Sequence, residues 1–390
     1  MKIVIDMKTN KFWGAAVIGC LMCSGCATQP ENQYTLDGTI NGGEGEWIYL
    51  AYTVHDTVRV TDSVRIADGA FRFAKELDVP AVEAALYMGK PFDYRTLKMA
   101  RVFLEPAAMT VALDTADFSA VKVTGSASQT ESDSLNAVLS PIYTRVRSLR
   151  DSLQTASSGE RKEWLTAQAD ACADSVRNIQ LDFVQSRPHS FVAAGYLPFL
   201  MGQMTYADLK AVYENLSPEV KQHANLLEVR KELSVLERVQ PGCSAPLFRA
   251  LSWEGDSIGL ADLKGKYVLL DFWATWCVPC RKSFPHVKEL YRKYHAKGFE
   301  VFCVADDDSN PDKWKEAIRK DGIEDFHHVL RGLKWDRSKG IDGMDHTNDI
   351  SDLYAIHYLP TKYLIDKEGN IVGKFDDEEL DAKLKEIFGY

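Results

Sequence analysis

The chain has 390 residues, more than one ordinary core accommodates, and should divide into about two or three units. Hydrophobic residues make up 45% and charged residues 26%, which excludes global disorder and a multi-span membrane protein. A net charge of -10, with no basic block interrupting it, excludes nucleic acid as a partner.

The first residues differ from the rest. Lys8, Asn10 and Lys11 precede an apolar run over residues 12–22 that ends in small residues before Cys26. At about 11 residues the run suits the core of an export signal and falls short of the roughly 20 that a spanning helix requires. Cys23-Ser24-Gly25-Cys26 resembles a bacterial lipoprotein processing site, in which a small residue precedes the cysteine that receives lipid. Cys23 stands where such sites usually carry an aliphatic residue, and Val17-Ile18-Gly19-Cys20 is a rival box that would leave a very short apolar core. The expectation is a signal peptide over residues 1–26 and a membrane anchor through lipidated Cys26. Simple secretion with Cys26 as a free thiol is the alternative. Asp6 is unusual in a basic leader, whereas Met7-Lys8-Thr9-Asn10-Lys11 makes a normal one, so Met7 is a second candidate start.

Residues 30–126 show short apolar runs separated by turn residues. Trp47-Ile48-Tyr49-Leu50, residues 58–64, Phe71-Arg72-Phe73, Val102-Phe103-Leu104 and residues 109–113 read as strands, punctuated by Asn41-Gly42-Gly43, Asp68-Gly69 and Glu105-Pro106. The spacing predicts an antiparallel β-sandwich without a catalytic constellation. The stretch from Asp62-Ser63-Val64 to Asp68-Gly69-Ala70-Phe71 resembles a β-rich domain of unknown function that precedes thioredoxin domains in bacterial lipoproteins.

Residues 130–238 change to a 3.6-residue period, with Leu135, Val138, Leu139, Ile142 and Val146, then Ile179, Phe183, Leu226, Val229 and Leu233. A helical spacer follows from this pattern. Ser217-Pro218-Glu219 reads as a helix start, and Arg187-Pro188 and Leu197-Pro198 as breaks. No metal-like spacing joins His189, His223 and Cys172.

After Val239-Gln240-Pro241-Gly242, strands and helices alternate over residues 239–390. Residues 267–274 and 299–305 read as buried strands, and 279–297 and 312–320 as helices. A strand near 328–330 and a helix over 350–357 follow. Residues 363–365 and 371–373 flank a turn as a hairpin, and 378–388 form a closing helix. This is α/β order with an antiparallel edge pair.

Of the eight cysteines, Cys20 and Cys23 would leave with the signal and Cys26 would carry lipid. Cys172, Cys243, Cys277, Cys280 and Cys303 would remain, and only Cys277 and Cys280 are close in sequence. Trp276-Cys277-Val278-Pro279-Cys280 lies where a strand opens into a helix. The helix N-terminus favours a thiolate at Cys277, and Cys280, about one turn on, is within reach to resolve a mixed disulfide. With no second Cys pair or His pair to complete a zinc site, redox exchange is expected and no metal or cofactor is.

Residues 268–280, reading VLLDFWATWCVPC, resemble the active-site strand and loop of thioredoxins. Cys243-Ser244-Ala245-Pro246, the added segment over 251–263 and the export signal look most like thiol:disulfide interchange lipoproteins of the TlpA and ResA kind, often grouped with the alkyl hydroperoxide reductase and thiol-specific antioxidant family. The resemblance implies a thioredoxin fold and makes Asp271 the proton acceptor for Cys280. It makes Leu359-Pro360-Thr361 the loop with a cis proline, set against Cys277 with the Leu359 backbone free to pair with an extended substrate. Trp276, Val278 and Pro279 join Leu359 and Pro360 as substrate-contacting residues. Trp273 is expected near the site or in the core, and Cys303 as a buried structural cysteine. The implied activity is a periplasmic protein-disulfide reductase acting on disulfide-bearing exported proteins and fed by a membrane thiol electron donor.

Two alternatives stand beside this. A peroxidase of peroxiredoxin type would need Pro-x-x-x-Thr-x-x-Cys, but Ala274 and Cys277 hold the Thr positions and Leu270 and Trp273 the Pro positions. A binding lipoprotein with a scaffold-only thioredoxin fold would not need both cysteines.

Overall fold

In the computed structural model, residues 32–55, 58–89, 96–336, 338 and 343–389 are described; Cys26 and the rest of the expected signal lie outside them. The protein is multidomain, with a β-sandwich, a helical layer and an α/β thioredoxin fold in chain order.

The sandwich uses eight strands: Gln33–Asn41 (β1), Trp47–Val54 (β2), Val58–Arg65 (β3), Ala70–Glu76 (β4), Val82–Met88 (β5), Lys98–Leu104 (β6), Ala108–Asp114 (β7) and Lys122–Thr124 (β8). They form two four-stranded sheets, ordered β4-β1-β7-β8 and β3-β2-β5-β6. Alternate residues of β1 and β4 point inward, placing Tyr34, Leu36, Phe71 and Phe73 against Ile48, Leu50 and Leu86 of the other sheet in one core. The expected antiparallel pattern fails at one place, because β1 and β7 run parallel. A sandwich closes whichever way its strands run, provided each presents an apolar face, so local alternation does not settle strand direction.

Six helices follow: Ala127–Thr155 (α1), Gly159–Ser186 (α2), Phe191–Leu200 (α3), Tyr206–Asn215 (α4), Pro218–Lys221 (α5) and Leu227–Arg238 (α6). Ser217 caps α5, with Pro218 in its first turn, and α2 stops at Ser186 before Arg187-Pro188. The break expected at Leu197-Pro198 does not occur, since α3 carries Pro198 in its last turns. Near a helix end a missing N–H removes little, and burial of Leu197 and Leu200 holds the segment. Glu105 joins this layer to the sandwich. Its carboxylate accepts from Ser126 Oγ (3.1 Å) and the backbone N–H groups of Ala127 (3.0 Å) and Ser128 (2.6 Å), which are orphan donors at the start of α1.

The last unit opens with a hairpin, Arg249–Leu251 (β9) and Ser257–Gly259 (β10). Its main sheet comprises Tyr267–Trp273 (β11), Phe299–Ala305 (β12), His327–Leu330 (β13), Thr361–Ile365 (β16) and Ile371–Lys374 (β17), and a small hairpin, Lys334–Trp335 (β14) with Met344–Asp345 (β15), is inserted between. The order is β13-β12-β11-β16-β17, parallel from β13 to β11 and antiparallel from β11 to β17. Val278–Tyr294 (α7), Pro311–Asp321 (α8) and Asp377–Phe388 (α10) cover one face, and Ile350–Leu353 (α9) with the Leu260 and Leu263 turn covers the other. Both faces of β11 and β12 are therefore buried, which is why these strands are continuous apolar runs. The helix expected over 350–357 ends at Leu353, because Ala355 adopts a left-handed φ of 52°.

Candidate active site

The site begins where β11 leaves the sheet. Asp306 N–H binds Trp273 O (2.9 Å) and Cys277 N–H binds Ala274 O (3.1 Å), turning the chain tightly. Asp307, just past the end of β12, clamps the loop: its carboxylate accepts from Thr275 N–H (2.8 Å) and Thr275 Oγ1 (2.6 Å). Burial pushes the Asp307 pKa up, against the lowering effect of those two hydrogen bonds. Cys277 is then the N-cap of α7, its Sγ accepting from Cys280 N–H at 3.2 Å, with Pro279 in the first turn. Arg281 fixes the same turn by a two-pronged pair with Asp321 at the end of α8, both contacts 2.7 Å.

Cys277 and Cys280 form a disulfide with Cα atoms 5.4 Å apart. Trp276 and Val278 beside them are 65% and 60% exposed, whereas Cys277 is 4% and Cys280 1% exposed. The accessible flanks of the motif are thus the side chains around the sulfurs. Trp273 belongs to the core, fully buried and edge-on to Phe284 with ring centroids 5.0 Å apart.

The same strand, β11, carries a buried polar group six residues before Cys277. Asp271 is 1% exposed and its Oδ1 has no hydrogen-bond partner. Burial pushes its pKa up to about 7, with Lys362 acting the other way and Asp377 adding to the rise. Cys303, in register with Asp271 on β12, is fully buried, and burial pushes its thiol up. Among the described residues Cys172, Cys243 and Cys303 are free thiols. Lys362, opposite Asp271 on β16, sends Nζ to Asp377 Oδ1 (2.8 Å) and Ser283 Oγ (3.2 Å), and Ser283 Oγ donates to Cys280 O (2.9 Å).

Sequence reasoning missed Lys362, Ser283, Asp377, Asp307 and Thr275. The usable signals were a lone lysine in the apolar run Thr361-Lys362-Tyr363-Leu364-Ile365 and three aspartates, Asp306, Asp307 and Asp308, directly after a buried strand.

The Leu359-Pro360 peptide is cis. Leu359 packs against the apolar cluster that contains Cys277 and Cys280. Among the described residues, the Leu359 N–H and C=O make no hydrogen bond.

The chain is similar to known proteins over two of its regions. The AhpC/TSA family model matches residues 241–374, and a domain of unknown function, DUF4369, matches residues 34–132. The thiol-disulfide oxidoreductase ResA of Bacillus anthracis is 37% identical over 155 residues, covering 39% of this chain and 80% of its own. The chain belongs to the thiol-disulfide oxidoreductases. The ResA protein of Bacillus subtilis is 33% identical over 139 residues, covering 35% of this oxidoreductase and 67% of its own length. Among solved structures, the thioredoxin domain of a thiol-disulfide oxidoreductase from Bacteroides vulgatus is 32% identical and covers 38% of this chain and 97% of its own, with a TM-score of 0.32. The enzyme's chemistry is oxidoreduction of disulfides.

Proposed function

We propose that this oxidoreductase reduces disulfides in exported proteins from the periplasmic side of a membrane, with Cys277 as attacking thiolate and Cys280 as resolving thiol. The observation that carries this is the position of Cys277 as N-cap of α7, disulfide-bonded to Cys280, whose N–H points at its sulfur. In the reduced enzyme the backbone N–H and the helix dipole stabilise negative charge on Cys277. Its thiolate attacks one sulfur of the substrate disulfide. The substrate S–S bond breaks, the second sulfur leaves as a thiolate and takes a proton, and a mixed disulfide remains. Cys280 then gives its proton to Asp271 and attacks Cys277 Sγ, releasing the other substrate thiol and forming the Cys277–Cys280 bond. A pKa near 7 suits Asp271 to accept that proton.

The exposed Trp276 and Val278, with Pro279, would meet the substrate on one side, and the unpaired Leu359 backbone beside Pro360 on the other. A membrane thiol donor would return the dithiol to the reduced state. The short apolar run before Cys26 supports export and lipid attachment.

The test is trapping. The Cys280→Ala variant should accumulate mixed disulfides with exported proteins, read by mass spectrometry, and Cys277→Ala should trap none. Equal trapping through Cys280 in the absence of Cys277 would reverse the two roles.

A further inference from the structure

The helical layer comes against the thioredoxin fold beside the loop that leads to Pro360, and the two enclose a cleft of about 460 Å³. Its walls include Met201, Gln203, Met204 and Tyr206 on the helical side and His357 and Tyr358 on the other. Two contacts hold it together. His357 Nε2 lies 2.7 Å from Glu232 Oε1 on α6. Gly202 packs so closely on the same imidazole that a Cβ there would sit 3.0 Å from its Cγ.

This cleft adjoins the loop that carries Pro360. A second hollow of about 340 Å³ is lined by Pro360, Thr361, Phe375 and Asp376, and Tyr358 and Lys374 line both hollows. Tyr358 is 53% exposed, and Lys374 Nζ sits 4.3 Å over its ring. Tyr358 and Lys374 thus form the shared wall of the two hollows. One residue further on, the Leu359 N–H and C=O are unpaired, an edge to which an extended chain can add.

We infer that the cleft between the helical layer and the loop before Pro360 is a substrate subsite for an extended polypeptide segment flanking the disulfide under reduction. This rests on the reading of Cys277 as the attacking group. The chemistry favours a polypeptide. A strand advances about 3.3 Å per residue, so one that pairs at Leu359 and runs toward Tyr358 meets the wall of the cleft that Tyr358 lines. Met201 and Met204 are flexible, polarisable surfaces that accept side chains of varied shape; Gln203 Oε1 is held by Arg177 and Gln240 Nε2 by Leu236 O, which leaves the other end of each amide to meet a peptide group. The volume lies within the range of about 300 to 1,000 Å³ typical of ligand sites. The helical layer thereby gains a role: it lengthens the recognition surface beyond Trp276, Val278, Pro279 and the Leu359-Pro360 loop.

The experiment uses the full chain carrying Cys280→Ala, with benzoylphenylalanine in place of Met204. The probe is a peptide with about five residues on either side of one cysteine, the cysteine activated as its mixed disulfide with 5-thio-2-nitrobenzoate. Attack by Cys277 releases the coloured thiolate and leaves the peptide on Cys277. Illumination should then give a cross-link to the peptide that survives dithiothreitol. Release of the coloured thiolate without such a cross-link overturns the subsite and leaves the reading of Cys277 standing. No release overturns the reading of Cys277 itself. With Cys280 intact, KM for this peptide should be about tenfold below that for the cysteine with one neighbour on each side, and Met204→Glu should remove most of that advantage. Equal KM values for the two peptides in the parent chain would also overturn the subsite.

Discussion

Asp271 and Lys362 face each other across the β11–β16 pair, and both are shut away from water, at 1% and 4% exposure. Lys362 is satisfied by Asp377 and Ser283, while one Asp271 oxygen is not satisfied at all. The carboxyl therefore favours its neutral form until about pH 7. A carboxyl whose native pKa is raised favours the folded state most below its ordinary value of 3.8, and that contribution is lost as pH rises through about 7. The gap corresponds to roughly 4 kcal/mol. Asp271→Asn should match the parent protein near pH 4 and exceed its stability above pH 7 by up to about that amount, measured by denaturant unfolding of the oxidised protein. The same variant should slow resolution of the mixed disulfide on the order of 10²-fold and flatten its rise with pH around neutrality. Lys362→Met removes the group that lowers the Asp271 pKa, so the inflexion of the rate profile should move to higher pH.

The buried strands were the most legible part of the fold. β12 runs over Phe299–Ala305, as the apolar run indicates, because a strand covered on both faces needs no alternation to be recognised. β5 was not legible. Val82-Glu83-Ala84-Ala85-Leu86 is rich in alanine and lacks the β-branched run that marks a strand, and its pairing with β2 and β6 comes from the sheet around it. The two cysteines could be read from sequence because strand, loop and helix start are contiguous. Lys362 left only one mark, a lone lysine in an apolar strand: its partners Ser283 and Asp377 come from two different helices, and only the folded chain joins its buried ammonium to the half-exposed Asp377.

Glu105, a turn residue by its sequence, caps α1. Burial is the largest influence on its carboxyl and raises the pKa, but the hydrogen bonds from Ser128, Ala127 and Ser126 together outweigh it and hold the group below its ordinary 4.5. A lowered native pKa means stability present above 4.5 and lost as pH falls through the native value. Glu105→Ala should cost about 1 to 2 kcal/mol at pH 7, and the difference should fade in acid. Thermal unfolding at both pH values checks this.

Cys26 is the residue on which attachment to a membrane depends in the proposed function. Replacing it by Ser should move the protein from the membrane fraction to the soluble periplasmic fraction and abolish labelling by a radioactive fatty acid. Reduction of insulin disulfides by the purified variant should match the parent, because residues 1–26 precede every element of the redox site. Equal fatty-acid labelling of the Cys26→Ser variant would refute lipidation at this position.

Asp307 is predicted to act on the reaction through the loop it holds. Both Thr275 donors end on its carboxylate, and residues 274–276 connect the end of β11 to Cys277, so a shift in Thr275 moves the N-cap of α7. Asp307→Ala leaves the part-buried Thr275 N–H without its acceptor, a loss of about 1 to 3 kcal/mol in stability. It should also lower the rate of attack by Cys277, because a thiolate displaced from the helix axis loses part of the dipole and N–H stabilisation. Asp307→Asn keeps an acceptor for one of the two donors and should recover much of the stability and part of the rate. The discriminating readout is the pH dependence of Cys277 alkylation in the reduced enzyme. A loop anchor predicts that the thiol pKa rises in Asp307→Ala and returns toward the parent value in Asp307→Asn. An unchanged thiol pKa in a destabilised Asp307→Ala protein would reduce Asp307 to a purely structural contact.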